Sequence, residues 1–259
     1  MPKKWSKHEK HKKYNELYGL YVSRNKTIGE IANILGIAEQ TVFKRMKKLG
    51  IRSAPELKKT YIARVRKDIK IPKHHSGALA EFMGIMLGDG HLSLYQIIIT
   101  LGPKELTYAE YIVKLVQGVF GAKPKVGFRK TGAMDVYLGS VALTKWLKSE
   151  GLVQNKVMLQ VAVPKWIFNK KEYMRYFLKG FFDTDGSVYK LRFGIQISFT
   201  NKSLPLLRSI HRMLLRLGYR PSFISGYRVF ITRQKSIIKF FKEIRPANPK
   251  HLVRFRYLM

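Results

Sequence analysis

Two stretches of the chain repeat one pattern of apolar, small and polar positions. Phe82-Met83-Gly84-Ile85-Met86-Leu87-Gly88-Asp89-Gly90 and Leu178-Lys179-Gly180-Phe181-Phe182-Asp183-Thr184-Asp185-Gly186 each read as a mostly apolar helix. Each has a small residue at one place and again four residues on (Gly84 and Gly88; Gly180 and Thr184), and each is stopped by Asp-Gly ahead of a strand. Residues four apart share a helix face, so these two helices can cross with their backbones close together, bringing Asp89 and Asp185 side by side. The downstream patterns also match. After the first motif come a hairpin (about 91–100), a helix (about 104–120), a strand pair (123–138), a short helix (about 143–150) and a connector to 167. The second copy has a motif helix (about 172–184), strands (187–200), a helix (203–217), strands (220–232) and a helix (236–244). One copy predicts the other, as in an internal duplication.

Past the second motif, Lys190, Arg192, Gln196, Ser198 and Thr200 share one parity, and Leu191, Phe193, Ile195, Ile197 and Phe199 the other. That alternation predicts a sheet with one buried face. Its other face is basic and amide-bearing, suited to phosphates and to base edges in the major groove; the alternative is a plain solvated strand face. Lys123, Lys125 and Arg129 offer a less regular version in the first copy, and Arg228 and Arg233 extend the surface in the second.

Upstream, residues 1–13 are mostly Lys and His and predict a loose basic arm. Thr27-Ile28-Gly29-Glu30 has the form of a capping box, opening a helix that carries Ile28, Ile31 and Leu35. Gly36-Ile37-Ala38 makes a tight turn, and a second helix from about Glu39 to Leu49 places Val42, Met46 and Leu49 inward and closes at Gly50. The pair resembles the helix-turn-helix of transcription regulators, which turns Gln40, Thr41, Lys44, Arg45 and Lys48 toward DNA; a helical hairpin with a charged outer face is the alternative. Pro55 starts a short basic helix through about Lys67, and His74-His75, with no further ligands at useful spacing, reads as a solvated loop. The predicted domains are 1–53 (arm and helix-turn-helix), 54–77 (linker), 78–171 (first repeat) and 172–259 (second repeat).

Charge narrows the function. Fifty Lys and Arg against 16 Asp and Glu give +34, spread along the whole chain, and a polyanion is the natural partner. Absence of cysteine excludes disulfides, thiolate metal sites and cysteine nucleophiles. The N-terminus lacks the apolar core of a signal peptide and no apolar run approaches membrane-spanning length. The expectation is an intracellular protein, cytoplasmic or nucleoid-associated, neither secreted nor membrane-bound.

Two carboxylates at adjacent helix C-termini repel each other and face the negative ends of both helix dipoles. A cation belongs there, and few, hard oxygen ligands suit Mg²⁺. Together the doubled motifs resemble those of the LAGLIDADG homing endonucleases, in the single-chain form with two pseudosymmetric copies; Leu87 departs from the acidic residue usual in the family. The resemblance covers about 78–259. It implies an α+β fold of two αββαββα repeats forming a DNA-binding saddle, here with a small all-α helix-turn-helix domain added. It further implies a monomer that cuts double-stranded DNA at a long site using Mg²⁺, for which Mn²⁺ can substitute. Asp89 and Asp185 become the metal ligands, joined by Gly88 and Thr184 before them. A basic residue near each scissile phosphate maps onto Lys156 and Lys250, although Val161 and Ala162 stand where many relatives carry the lysine. Asn201 fills the polar position after the second strand in the second repeat; Leu101 in the first cannot orient a water, which predicts an impaired half-site. The competing readings are a non-catalytic DNA-binding regulator of the same fold, and an RNA-splicing maturase acting on structured intron RNA.

Overall fold

The computed structural model describes residues 5–24, 26–51 and 68–258. The chain divides into two compact units, Met1–Arg64 and Val65–Met259. The short basic helix predicted from Pro55 to Lys67 lies outside the described residues.

In the first unit, α1 spans Lys7–Tyr18 and continues as a π-helical turn over Gly19–Ser23. The expected loose arm is therefore helical from Lys7. The reason is local: Ser6 accepts from the Glu9 N–H at 3.2 Å, while the Glu9 carboxylate accepts from the Ser6 N–H at 2.7 Å, a reciprocal cap that satisfies two end donors. The same device opens α2 (Ile28–Leu35) through Thr27 and Glu30. Gly36, at φ +60°, ends α2 in the left-handed conformation that only glycine adopts without steric cost, and α3 follows over Glu39–Lys48. Leu17, Tyr21, Ile31, Ala32, Val42, Met46 and Ile51 form this unit's core.

The second unit is built on the crossing of α4 (Gly77–Leu87) and α7 (Lys171–Asp185). Every α4 residue from Leu79 to Leu87 is buried, as expected of a helix apolar on nearly all sides. Between these helices lie β1 (Gly90–Leu92), β2 (Gln96–Leu101), α5 (Leu106–Phe120), β3 (Lys125–Phe128), β4 (Met134–Gly139), α6 (Val141–Ser149) and a 3₁₀ turn at Lys165–Asn169. Beyond α7 come β5 (Gly186–Lys190), β6 (Ile195–Thr200), α8 (Leu204–Arg216), β7 (Arg228–Ile231), α9 (Gln234–Ile244) and α10 (Pro249–Leu258). Both sheets are antiparallel, in the orders β1-β2-β4-β3 and β5-β6-β7. Alternate residues, Ile97, Ile99 and Leu101 in β2 and Ile195, Ile197 and Phe199 in β6, enter one apolar core that runs through both repeats. The α+β class and the two-repeat architecture follow the sequence expectation.

Three details differ from it. The alternation across 190–200 is interrupted: β5 ends at Lys190, residues 191–194 turn with Gly194 at φ +91°, and Phe193 is 84% exposed rather than buried. No strand forms across 220–227, so the second sheet has three strands. Pro221 lacks a donor, and Gly226 and Tyr227, both at positive φ, make a two-residue turn closed by reciprocal bonds between Ser225 and Arg228. The terminal helix α10 was not anticipated; Pro249 is its first residue, a position where a missing N–H costs nothing. His74 and His75 lie in an exposed loop, as expected, where the His75 ring stacks on Trp166 at 4.1 Å and its Nε2 lies 2.9 Å from Glu150.

Candidate nucleic-acid and metal site

The crossing is tight because glycines stand where the backbones meet. A Cβ on Gly84 would lie 2.2 Å from the Phe177 carbonyl oxygen, and one on Gly180 would lie 2.1 Å from that of Glu81. Gly88 faces the Thr184 side chain in the same way. Beside the crossing, Glu81, 2% exposed, pairs with Lys179 at 3.0 Å and accepts from the Tyr111 hydroxyl at 2.5 Å.

Helix α7 ends at its motif aspartate, Asp185, and α4 ends two residues before its own, Asp89. Burial pushes the Asp185 carboxyl up to about 6; a hydrogen bond from Asn201 Nδ2 at 2.9 Å opposes the shift and the negative charge of Asp89 adds to it. Asp89 keeps much of its surface open, yet the surrounding protein still raises its pKa, with Lys250 and Lys156 pulling it back down. Asp185 thus lies within the field of Asp89. Among the described residues no three His, Cys, Asp or Glu side chains converge as a metal cage. A divalent ion between Asp89 and Asp185 would complete its shell with main-chain oxygens, water and phosphate, the donor set that suits Mg²⁺.

The two predicted lysines do reach this centre, in different ways. Lys156 Nζ donates to the carbonyls of Met86 (3.1 Å), Gly88 and Gly90 (2.7 Å), from the last turn of α4 to the first residue of β1. Burial lowers its pKa, against the raising fields of Asp185 and Asp89. Lys250 Nζ donates to Glu105 Oε1 at 2.9 Å. Glu105 was missed from sequence. It lies sixteen residues past Asp89, as Asn201 lies sixteen past Asp185, and that equal count was the available signal. Burial alone would raise the Glu105 pKa, but donors from Asn248 (2.7 Å), Lys250 and the Gly102 N–H (2.8 Å) bring it below the usual range. Leu101, inspected as the polar position of the first repeat, is a core residue.

Asp183 explains how Lys250 arrives. Its buried carboxylate accepts from the N–H groups of Ala247 (2.8 Å) and Asn248 (3.0 Å), fixing the turn into α10. Burial nonetheless raises its pKa to about 7. The matching residue of the first repeat, Leu87, is fully buried and apolar. Thr184 does not present its hydroxyl to the centre, because Oγ1 bonds back to the carbonyls of Gly180 (3.2 Å) and Phe181 (3.0 Å).

Of the predicted DNA-facing residues, Lys123, Lys125, Lys190, Arg192, Arg228 and Arg233 are exposed. Arg129 is exposed but forked onto Asp135 at 2.7 and 2.8 Å. Ser198 is buried and bonded to Ser187 at 2.7 Å, and Gln196 accepts from the Tyr189 hydroxyl; the parity that put both on an open face ignored cross-strand partners. In the first unit Gln40 and Lys44 are exposed and Thr41 and Arg45 half-buried, while Lys48 sits over the Trp5 ring at 4.4 Å. No helix among the described residues is long and apolar enough to cross a membrane.

Residues 172–245 match the family model described as a LAGLIDADG-like domain. The replication factor C small subunit of Methanocaldococcus jannaschii is 31% identical over 144 residues, 54% of this chain; the match spans only 7% of that relative's length. Among solved structures, I-DmoI in complex with DNA and Ca matches 68% of this chain and 96% of its own at 20% identity and TM-score 0.49. The N-terminal LAGLIDADG domain of DUF199/WhiA matches 68% and 86% at 14% identity and the same TM-score. The chain thus carries a LAGLIDADG-like domain at 172–245, and the motif of that domain recurs at Phe82–Gly90.

Proposed function

We propose that this protein is a divalent-metal-dependent endonuclease that hydrolyses phosphodiester bonds of double-stranded DNA at a long site, acting as a monomer. The observation that carries the reading is the meeting of Asp89 and Asp185 at the crossing of duplicated helices, with Lys156 and Lys250 in the field of both. A divalent ion, Mg²⁺ with Mn²⁺ able to substitute, would supply there a water of lowered pKa and neutralise phosphate charge.

The protein's own groups do the rest. Asp185, ionised at neutral pH and oriented by Asn201, presents a fixed carboxylate to the reacting phosphate's cation. Lys250, a third exposed, is the ammonium free to meet a phosphoryl oxygen, with Glu105 holding it in place. Lys123, Lys125, Lys190, Arg192, Arg228 and Arg233 contact phosphates on either side, and Gln40, Thr41, Lys44 and Arg45 of α3 add a second set of contacts from the helix-turn-helix. The test is Asp89→Asn and Asp185→Asn, each assayed for duplex retention and for cutting with Mg²⁺. Retention without cutting supports the proposal, and undiminished cutting by both variants removes it.

A second reading, a DNA-binding regulator of the same fold without catalysis, is favoured by one observation: the Gly88 carbonyl, a candidate metal ligand, already accepts from Lys156. Competition between duplex DNA and structured RNA separates both readings from a maturase.

A further inference from the structure

Lys156 carries a consequence that its partner in the other repeat does not. An ammonium has three N–H donors, and those of Lys156 meet three main-chain carbonyls, Met86, Gly88 and Gly90, where α4 ends and β1 begins. Helix C-termini concentrate negative partial charge, and Asp185 and Asp89 add two carboxylates whose fields both reach the same nitrogen. The ammonium is therefore set where a cation is most strongly attracted, and it uses an oxygen that a divalent ion on the Asp89 side would need. Lys250, at the corresponding place in the second repeat, makes no such contact; it binds a side chain, Glu105. The ends of the two motif helices are thus chemically unequal, one closed by a built-in monovalent cation.

We infer that Lys156 is a resident cation that replaces a divalent metal on the Asp89 side, so that the site holds a single divalent ion, on the Asp185 side. This rests on the endonuclease reading for the metal itself. It accounts for the conflict at Gly88 without giving up the site: the first half offers a fixed ammonium and the second an exchangeable metal. It also predicts what removal does. Without the ammonium, Asp89, the Gly88 carbonyl and the nearby Glu105 carboxylate become a set of hard oxygens with Lys250 alone as counter-charge, which a divalent ion fits.

The experiment counts ions rather than activity. The full chain, Lys156→Met, Lys156→Gln and Asp185→Asn are titrated with Mn²⁺, with free ion followed by electron paramagnetic resonance and folding by circular dichroism. The expected result is a single bound ion in wild type, at least tenfold weaker binding in Asp185→Asn, and a second bound ion in a folded Lys156 variant. Two ions in wild type, or still a single ion in a folded Lys156 variant, overturn the inference while leaving the metal site standing. Should neither variant fold, the wild-type count decides alone. No bound ion in wild type overturns the metal reading and this inference together.

Discussion

Replacing Gly180 by alanine adds one methyl group at the closest approach of α4 and α7. That carbon would lie 2.1 Å from the Glu81 carbonyl oxygen and 3.0 Å from the Ile85 nitrogen. Both are backbone atoms inside a helix, so no side chain can swing aside. Restoring ordinary contact requires the helices to part by roughly 1 Å, and overpacking of this kind costs about 1–3 kcal/mol. Helix propensity pulls the other way, by up to about 1 kcal/mol in favour of alanine. The sign of the result therefore discriminates: close crossing predicts a lower urea midpoint for Gly180→Ala, whereas helices separated by side chains predict a higher one. Because Asp89 and Asp185 ride on these helices, a shift of about 1 Å also lowers cleavage on the order of 100-fold. A Gly180→Ala protein at least as stable as wild type would refute the packing argument and the placement of the aspartates that depends on it.

Three further outcomes are expected. Lys179→Met leaves Glu81 buried without its partner and destabilises by about 3 kcal/mol or more, while Lys179→Met combined with Glu81→Leu recovers much of that loss in a double-mutant cycle. His251 is fully buried beside Phe182, and burial lowers its pKa to about 3; its contribution to stability is complete above pH 6.5 and is lost as pH falls toward 3. Asp183, raised to about 7, contributes stability below pH 4 that is lost as pH rises through 7, so the two slopes oppose each other. Asp183→Asn removes one of them, and its stability should fall on acidification from pH 7 to 4 more steeply than wild type by about 1.4 kcal/mol per pH unit; parallel curves would show that Asp183 is not held protonated by burial. In the first unit, Lys44→Gln should weaken duplex binding at all sequences and reduce the salt slope of affinity by about 0.9 if the lysine meets phosphate, and an unchanged slope would place Lys44 away from DNA.

Much of the second unit was legible because its information is written twice. The small residues at Gly84 and Gly180, the two Asp-Gly stops and the repeated order of helices and strands each had a copy to check against. The matched spacings of Lys156 and Lys250 likewise placed both near the centre. What escaped has a common cause in partners distant along the chain. Parity marked Ser198 and Gln196 as open, but Ser187 and Tyr189 across the hairpin engage them. Arg129 reads as a free cation until Asp135 is brought alongside by the β3–β4 register. Glu105 and Asp183 were invisible as a pair because what joins them is the turn at Ala247–Asn248, more than sixty residues beyond Asp183. The helical course of residues after Ser6 was, by contrast, readable from Ser6 and Glu9 alone; the density of lysine and histidine there concealed the cap.

The most direct test of the central claim is cleavage of a randomised duplex DNA library by wild type and Asp185→Asn, each with Mg²⁺ and with EDTA. The account predicts cutting at one recurrent sequence by wild type with Mg²⁺ only, and retention without cutting by the variant. Selective retention by wild type with no cutting in Mg²⁺ or Mn²⁺ would contradict it and make the protein a regulator.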